Sequence, residues 1–312
     1  MLLGPLKGRI EYQNNQDLTF PAAQFLPMTV LFRLLARLPL SWLHKAGAAV
    51  GWIVYLASPV YASRMRKNLA GSRIFDDRAR LKQALRQCIV ETGKGAAETV
   101  KIWFAELEAA TALVECRSWE VVEEAQREGR GIIFLTPHLG CFEIAALYTA
   151  QRVPLTSLYR PPRQSWLEPL MVSGRSRGKA RVSPANLRGV RTLYKALKNG
   201  ETVGLLPDQA PQVGEGAWAD FFGRPAYTMT LVRRLQKQTD AAVVFVYAER
   251  LPKGRGYLLH FERFRGDQLD ERALNREIEN LIRRCPTQYL WSYNRYKVPA
   301  GVQRPAVDVK QT

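Results

Sequence analysis

The chain has 312 residues, 46% hydrophobic and 24% charged, a balance that permits a sizeable buried core and excludes an intrinsically disordered protein. Lys and Arg outnumber Asp and Glu by 46 to 28, a net charge of +18, which implies an acidic partner: nucleic acid, an anionic membrane surface, or an acidic protein or phosphorylated substrate. The four cysteines, Cys88, Cys116, Cys141 and Cys285, have neither zinc-ligand spacing nor the density of a disulfide framework, so they read as buried thiols in a reducing compartment, with no metal bound.

Residues 1–28 carry Lys7, Arg9, Glu11 and Asp17 and lack the apolar core of a signal peptide. They read as an N-terminal tail. An apolar segment follows over 29–62, interrupted in its first half by Arg33, Arg37, His44 and Lys45. Its uncharged part is shorter than the roughly 20 residues of a spanning helix. A basic, tryptophan-bearing first half is the pattern of an interfacial membrane helix, with His44 at the interface; a pair of buried core helices is the alternative. Arg64, Arg66 and Lys67 come next and would hold the following domain on the cytoplasmic side.

From 63 to 303 the pattern is that of one α/β domain with a mixed sheet flanked by helices. A long helical periodicity covers 78–115. Apolar runs at 131–136, 153–159 and 202–207 predict strands, and 140–151 and 187–198 predict helices, the second ended by Asn199-Gly200. A helix is expected over 228–238, a β-hairpin over 241–249 and 256–264, and a closing helix over 270–284. Residues 304–312 read as a C-terminal tail.

The chemistry concentrates where the first of these strands ends, in TPHLGCFE (136–143). Ligands of open α/β sheets sit beyond the carboxyl ends of strands, so His138 stands where a catalytic group belongs. Glu143 follows five residues later. On an ideal helix those positions lie about 500° apart. A pairing therefore requires His138 to precede the helix, with Gly140 making the turn and Glu143 in the first turn. A carboxylate on one imidazole nitrogen makes the other a general base. The alternative is an ordinary loop histidine beside a capping carboxylate. Cys141, between them, reads as a packing residue rather than a nucleophile, and His260 as a mid-strand residue.

Three further groups bear on the site. Arg160 and Arg163 follow a strand, their spacing stiffened by Pro161 and Pro162. Arg175, Arg177, Lys179 and Arg181 alternate, so an extended backbone would aim all four one way, either at phosphates or an acidic helix or simply at solvent. Asp208 and Gln209 follow the 202–207 strand and either border the same cleft or brace the loop. Phe221, Phe222 and Trp218 line an acyl slot or pack in the core.

HLGCFE (138–143) resembles the His-x4-Asp/Glu motif of the glycerolipid acyltransferase superfamily, and its Glu form, after an apolar strand and Pro137, resembles the late acyltransferases of lipid A biosynthesis. YRPPR (159–163), LLPDQAP (205–211) with FFGRPA (221–226), PTQYLWSYNRYK (286–297) and the Arg64 to Asn68 element agree in order and spacing. The resemblance covers roughly 30–300. It departs at Cys141-Phe142, where Asn-Trp is frequent in the family, which puts acyl length and acceptor position in doubt but not the mechanism.

The resemblance implies a glycerolipid-acyltransferase-like fold and an acyltransferase domain over 63–303. It implies an inner-membrane enzyme, its catalytic domain on the cytoplasmic side, that moves an acyl chain from acyl-acyl carrier protein to a hydroxyl of a Kdo2-lipid IVA-type lipid A precursor. His138 would be the base, oriented by Glu143, with direct attack, no acyl-enzyme and no cofactor. Arg160, Arg163, Asp208, Gln209, Arg175 and Arg177 would bind substrate. An acidic carrier and a phosphorylated acceptor both suit the charge of +18. A related reading keeps the fold but acylates another bacterial glycolipid or amino-acid lipid, with acyl-coenzyme A as donor. Nucleic acid as the partner finds no zinc pattern, aromatic RNP-type block or recognisable basic helix in its support.

Overall fold

The run read at 131–136 becomes the centre of the sheet. In the computed structural model, which describes residues 22–162 and 164–305, all four residues of its strand are buried, as a strand covered on both faces must be. The elements in chain order are α1 (Ala22–Arg37), α2 (Leu40–Ala57), α3 (Pro59–Gly71), α4 (Arg78–Phe104), α5 (Leu107–Thr111), β1 (Val114–Cys116), α6 (Glu120–Arg127), β2 (Ile132–Leu135), α7 (Phe142–Arg152), β3 (Leu155–Tyr159), α8 (Leu167–Arg175), β4 (Ala180–Pro184), α9 (Leu187–Lys198), β5 (Thr202–Leu205), β6 (Gly216–Phe221), β7 (Arg224–Met229), α10 (Leu231–Thr239), β8 (Ala242–Arg250), β9 (Tyr257–Arg263) and α11 (Glu271–Arg284).

Seven strands form one mixed sheet in the order β1-β9-β8-β2-β5-β3-β4. β2 pairs in parallel with β5 on one side and β8 on the other, and β8 with β9 makes the expected antiparallel hairpin. The hydrophobic core lies on both faces of this sheet. Helix ends follow local chemistry. The Asp77 carboxylate accepts from the backbone N–H groups of Ala79 and Arg80, and Asp270 does the same for Ala273.

Four features differ from the sequence reading. The helical run from 78 ends at Phe104, and the last part of the expected span forms α5 and β1. Leu167–Arg175 is a helix, and Ala180–Pro184 an edge strand. Residues 216–229, of which only the last two fell in an expected helix, form a separate hairpin of β6 and β7. Its two-residue turn places Phe222 and Gly223 at φ 49° and 68°, the left-handed geometry such turns require.

The N-terminal helices are not a detached segment. α1 begins inside the stretch read as tail, and α3 crosses the expected boundary at 62. α2 lies in backbone contact with α4, because a Cβ on Gly93 would stand 2.1 Å from the Gly47 carbonyl oxygen. Among the described residues no single helix is long and apolar enough to cross a membrane; α2 and α3 pass that test only as a pair bent by 103°. Their outer surfaces, with α1, nevertheless expose Leu34, Trp42, Ile53, Val54, Leu56 and Val60.

Candidate active site

β2 and β5 run side by side and parallel, so the loops after them meet beyond the sheet. His138 stands on the first loop and Asp208 on the second. The Asp208 carboxylate accepts from the His138 backbone N–H at 3.0 Å and lies 2.8 Å from Nδ1. Asp208 is 2% exposed, whereas the imidazole keeps an opening to solvent. Burial opposes ionisation of Asp208, but the charge and hydrogen bonds of His138 outweigh it and hold the carboxyl below its ordinary value. An ionised Asp208 places the ring proton on Nδ1. Nε2 then keeps its lone pair, which meets the Gln209 side-chain nitrogen at 3.1 Å.

The His138 loop is clamped on two sides. The His138 carbonyl accepts from the Leu290 N–H at 3.0 Å, and the Gly140 N–H donates to the Gln288 carbonyl at 3.1 Å. Cys141 N–H donates to the carbonyl of Ala248 in β8 at 2.8 Å. Gly140 has φ 60°, and a Cβ there would come 2.0 Å from the Ala248 oxygen, so glycine is the residue this turn accepts. The segment 286–297 reaches the second loop as well, where Tyr293 Oη accepts from Ala210 N–H at 3.1 Å. Asn68, in α3, ties that segment down through the carbonyls of Trp291 and Tyr293. Three of the blocks noted in the sequence, 205–211, 286–297 and the Arg64 to Asn68 element, are thus pieces of one clamp around the His138 loop.

Glu143 sits in the first turn of α7, as expected, but its carboxylate faces away from the ring. Arg175 Nε lies 3.1 and 3.0 Å from its two oxygens, Arg175 Nη2 completes a fork, and Trp103 Nε1 donates at 3.1 Å. Among the described residues Glu143 makes no hydrogen bond to His138. The ring's orienting contact, expected from Glu143, comes from Asp208. The turn at Gly140 swings the start of α7 towards α4 and α8, leaving the imidazole facing the β5 loop.

A cleft of about 520 Å³ opens from the imidazole. His138, Phe142, Arg160, Arg175, Gln209 and Arg234 line it, with apolar walls from Leu158, Val190, Leu205, Met229 and Leu231. Arg163 lies outside the described residues. The expected row of four cations does not form, because Arg175 ends a helix and Arg181 lies in a strand beyond it. Arg177 instead donates to the carbonyls of Ile102 and Ala105 at the end of α4, Lys179 to that of Arg152, and Arg181 pairs with Glu201. Phe221 and Phe222 are buried against Tyr289, Tyr296 and Trp291, away from the cleft walls, and Trp218 donates to Gln303. The Cys141 thiol is buried; burial first, then Glu98, push it well above an ordinary thiol, which leaves it a poor nucleophile.

His44 is not interfacial. It is buried with Nε2 3.0 Å from Glu98, which also accepts from Tyr257 Oη and pairs with the buried Arg250. Arg250 donates in turn to the Gly140 carbonyl at 3.2 Å. A chain of buried contacts therefore runs from α2 to the turn after His138. The sequence offered no signal for Trp103 or Arg250, which act through contacts made far along the chain, or for Arg234, which lines the cleft. His260 stacks on Tyr247 at 4.5 Å in the β8–β9 hairpin, away from the cleft. No group of three His, Cys, Asp or Glu side chains able to hold a metal occurs among the described residues.

A sheet whose central strand ends in a histidine, backed by a buried carboxylate at the head of a part-apolar cleft, is suited to transfer chemistry on an apolar substrate. The sequence matches the family described as bacterial lipid A biosynthesis acyltransferase over residues 15–298, and the chain belongs to that family. It is an acyltransferase of the late lipid A type. It is similar to the lipid A biosynthesis lauroyltransferase of Escherichia coli (strain K12), 26% identical over 282 residues, which span 86% of this chain and 90% of the relative. The palmitoleoyltransferase of the same organism is 29% identical over 217 residues, 67% of this chain and 70% of the relative. The myristoyltransferase is 25% identical over 242 residues, 74% of each.

Proposed function

We propose that the enzyme transfers a fatty acyl chain from acyl-acyl carrier protein to a hydroxyl of a phosphorylated lipid A precursor of the Kdo2-lipid IVA type, at the cytoplasmic face of the bacterial inner membrane. One observation carries the chemistry: Nδ1 of His138 is held by Asp208 while Nε2 faces the cleft. The acceptor hydroxyl displaces the Gln209 amide from Nε2 and gives up its proton there as its oxygen attacks the thioester carbonyl. The tetrahedral oxyanion collapses, the carbon–sulfur bond breaks, and the leaving thiolate takes the proton back from Nε2. Asp208 stabilises the imidazolium in between. No acyl-enzyme forms, which agrees with a buried, protonated Cys141 thiol.

Arg160 and Arg175 supply positive charge to the cleft, for the oxyanion or an acceptor phosphate. Glu143 and Trp103 fix the Arg175 guanidinium, which makes Glu143 a positioning residue in this mechanism. The apolar outer surface of α1–α3, with Trp42 exposed, supports seating on a membrane, where an amphipathic lipid acceptor would be met. Purified enzyme given acyl-acyl carrier protein and the tetra-acylated precursor should yield a product heavier by one acyl chain in mass spectrometry. An unchanged precursor beside an acylated second glycolipid would refute the acceptor assignment.

A further inference from the structure

Helix α9 carries four cations at 188, 191, 195 and 198, all exposed. The spacing of three, four and three residues places Arg188, Arg191, Lys195 and Lys198 in one row about 15 Å long. None of the four has an ion-pair partner among the described residues, and α9 contains no acidic residue. Like charges at such spacings repel, by about 0.2–0.5 kcal/mol for each neighbouring pair. Arg188 moreover sits in the first turn, where the helix dipole disfavours a cation. Lys195 and Lys198, in the last turn, suit the dipole, but Arg188 and Arg191 gain nothing from the helix that carries them.

The row starts at the cleft. Asn186, Leu187 and Val190 of the same segment line its mouth, and Leu187 is 79% exposed. α10 packs beside α9 and adds Arg234 at the mouth, with Lys237 exposed beyond it. The acid at this rim, Glu215, accepts from the Gln212 backbone. A bilayer is a poor match for the row, because interfacial helices turn an apolar face to lipid, whereas the apolar face of α9 (Leu193, Ala196, Leu197) is buried in the core. A soluble acidic surface of matching length fits it.

We infer that the basic row of α9, extended by Arg234 and Lys237, is the docking surface for the acidic protein that carries the acyl thioester, and that it presents the thioester to the cleft mouth at Leu187. This rests on the reading that the donor is acyl-acyl carrier protein, and it places the carrier contact on α9.

The test compares two donors, acyl-acyl carrier protein and uncharged acyl-pantetheine, with full-length enzyme in detergent. In Arg191→Glu/Lys195→Glu, kcat/KM for the carrier donor relative to acyl-pantetheine should fall about tenfold or more, the scale of electrostatic steering. The drop should shrink as salt rises, and Arg191→Gln/Lys195→Gln should fall between. Lys82→Glu/Arg86→Glu, the same charge change on exposed positions of α4, should leave the ratio alone. Far-UV circular dichroism checks that all three variants fold. An unchanged ratio in an enzyme that uses the carrier donor overturns the docking surface. So does an unchanged ratio with lost binding to anionic phosphatidylglycerol vesicles, which would make the row a membrane contact. If the wild-type enzyme turns over acyl-pantetheine but not the carrier donor, the donor reading itself fails and the docking surface falls with it.

Discussion

His138 Nδ1 and Asp208 Oδ1 lie 2.8 Å apart although 70 residues separate them along the chain. Parallel pairing of β2 with β5 brings them together, since it sets the two strand ends level. The nearer carboxylate, Glu143, is occupied by Arg175 and Trp103. Two acids thus stand beside one cleft with different partners, one on an imidazole and one on a guanidinium.

That division is measurable by coupling. Arg175→Met should lower kcat about a hundredfold, the scale of one lost donor to developing charge. Glu143→Gln should do nearly as much, because the guanidinium loses its anchor. The double variant should resemble the worse single variant, since the pair acts as a unit. Multiplicative losses for Glu143 and Arg175 in steady-state kinetics would show that Glu143 has a separate role.

The network behind the turn predicts a stability profile. Burial alone would push the Glu98 carboxyl up; Arg250 above all, and then His44, outweigh it and hold it at about 2, against an ordinary 4.5. A depressed acid stabilises fully above its unfolded pKa and loses that contribution as pH falls through the folded one. The gap in denaturation midpoint between wild type and Glu98→Gln should therefore be constant from pH 7 to about 4.5 and close towards pH 2. Arg250→Met, which leaves Glu91 and Glu98 without their buried cation, should cost about 3–5 kcal/mol at pH 7. A gap that widens on acidification would contradict the assignment.

The exposed face of α2 predicts where the protein goes. Ile53→Glu and Leu56→Glu each remove an apolar side chain worth about 2 kcal/mol on burial and add a charge repelled by anionic lipid. Each should weaken binding to phosphatidylglycerol vesicles at least about tenfold in a flotation assay. Unchanged flotation would move the membrane contact off this face.

Much of this was legible in the sequence, for identifiable reasons. β2 and β8 are short continuous apolar runs, and α9 has strong helical periodicity with a clear stop at Asn199-Gly200. The β6–β7 hairpin was hidden because its strands mix small, polar and aromatic residues without clean alternation, and its turn uses Phe222 at positive φ. α8 was hidden by Pro169 and its short length. His138 was readable as a group at a strand end, and Asp208 and Gln209 as candidates for the same cleft. Which carboxylate touches the imidazole was not, because that depends on the order of β2 and β5 in the sheet, and spacing along the chain reports only neighbours.

The direct test of the base is the single-turnover rate of acyl transfer in His138→Ala, Asp208→Asn and the double variant, all with bound donor and acceptor. Each single substitution should cost about a hundred- to ten-thousand-fold, and the double should fall well short of the product. Cys141→Ala should keep its rate, with no acyl label on the protein. Asp208→Asn at the wild-type rate, together with losses at Glu143 and His138 that fail to multiply, would contradict the account and return the orienting role to Glu143.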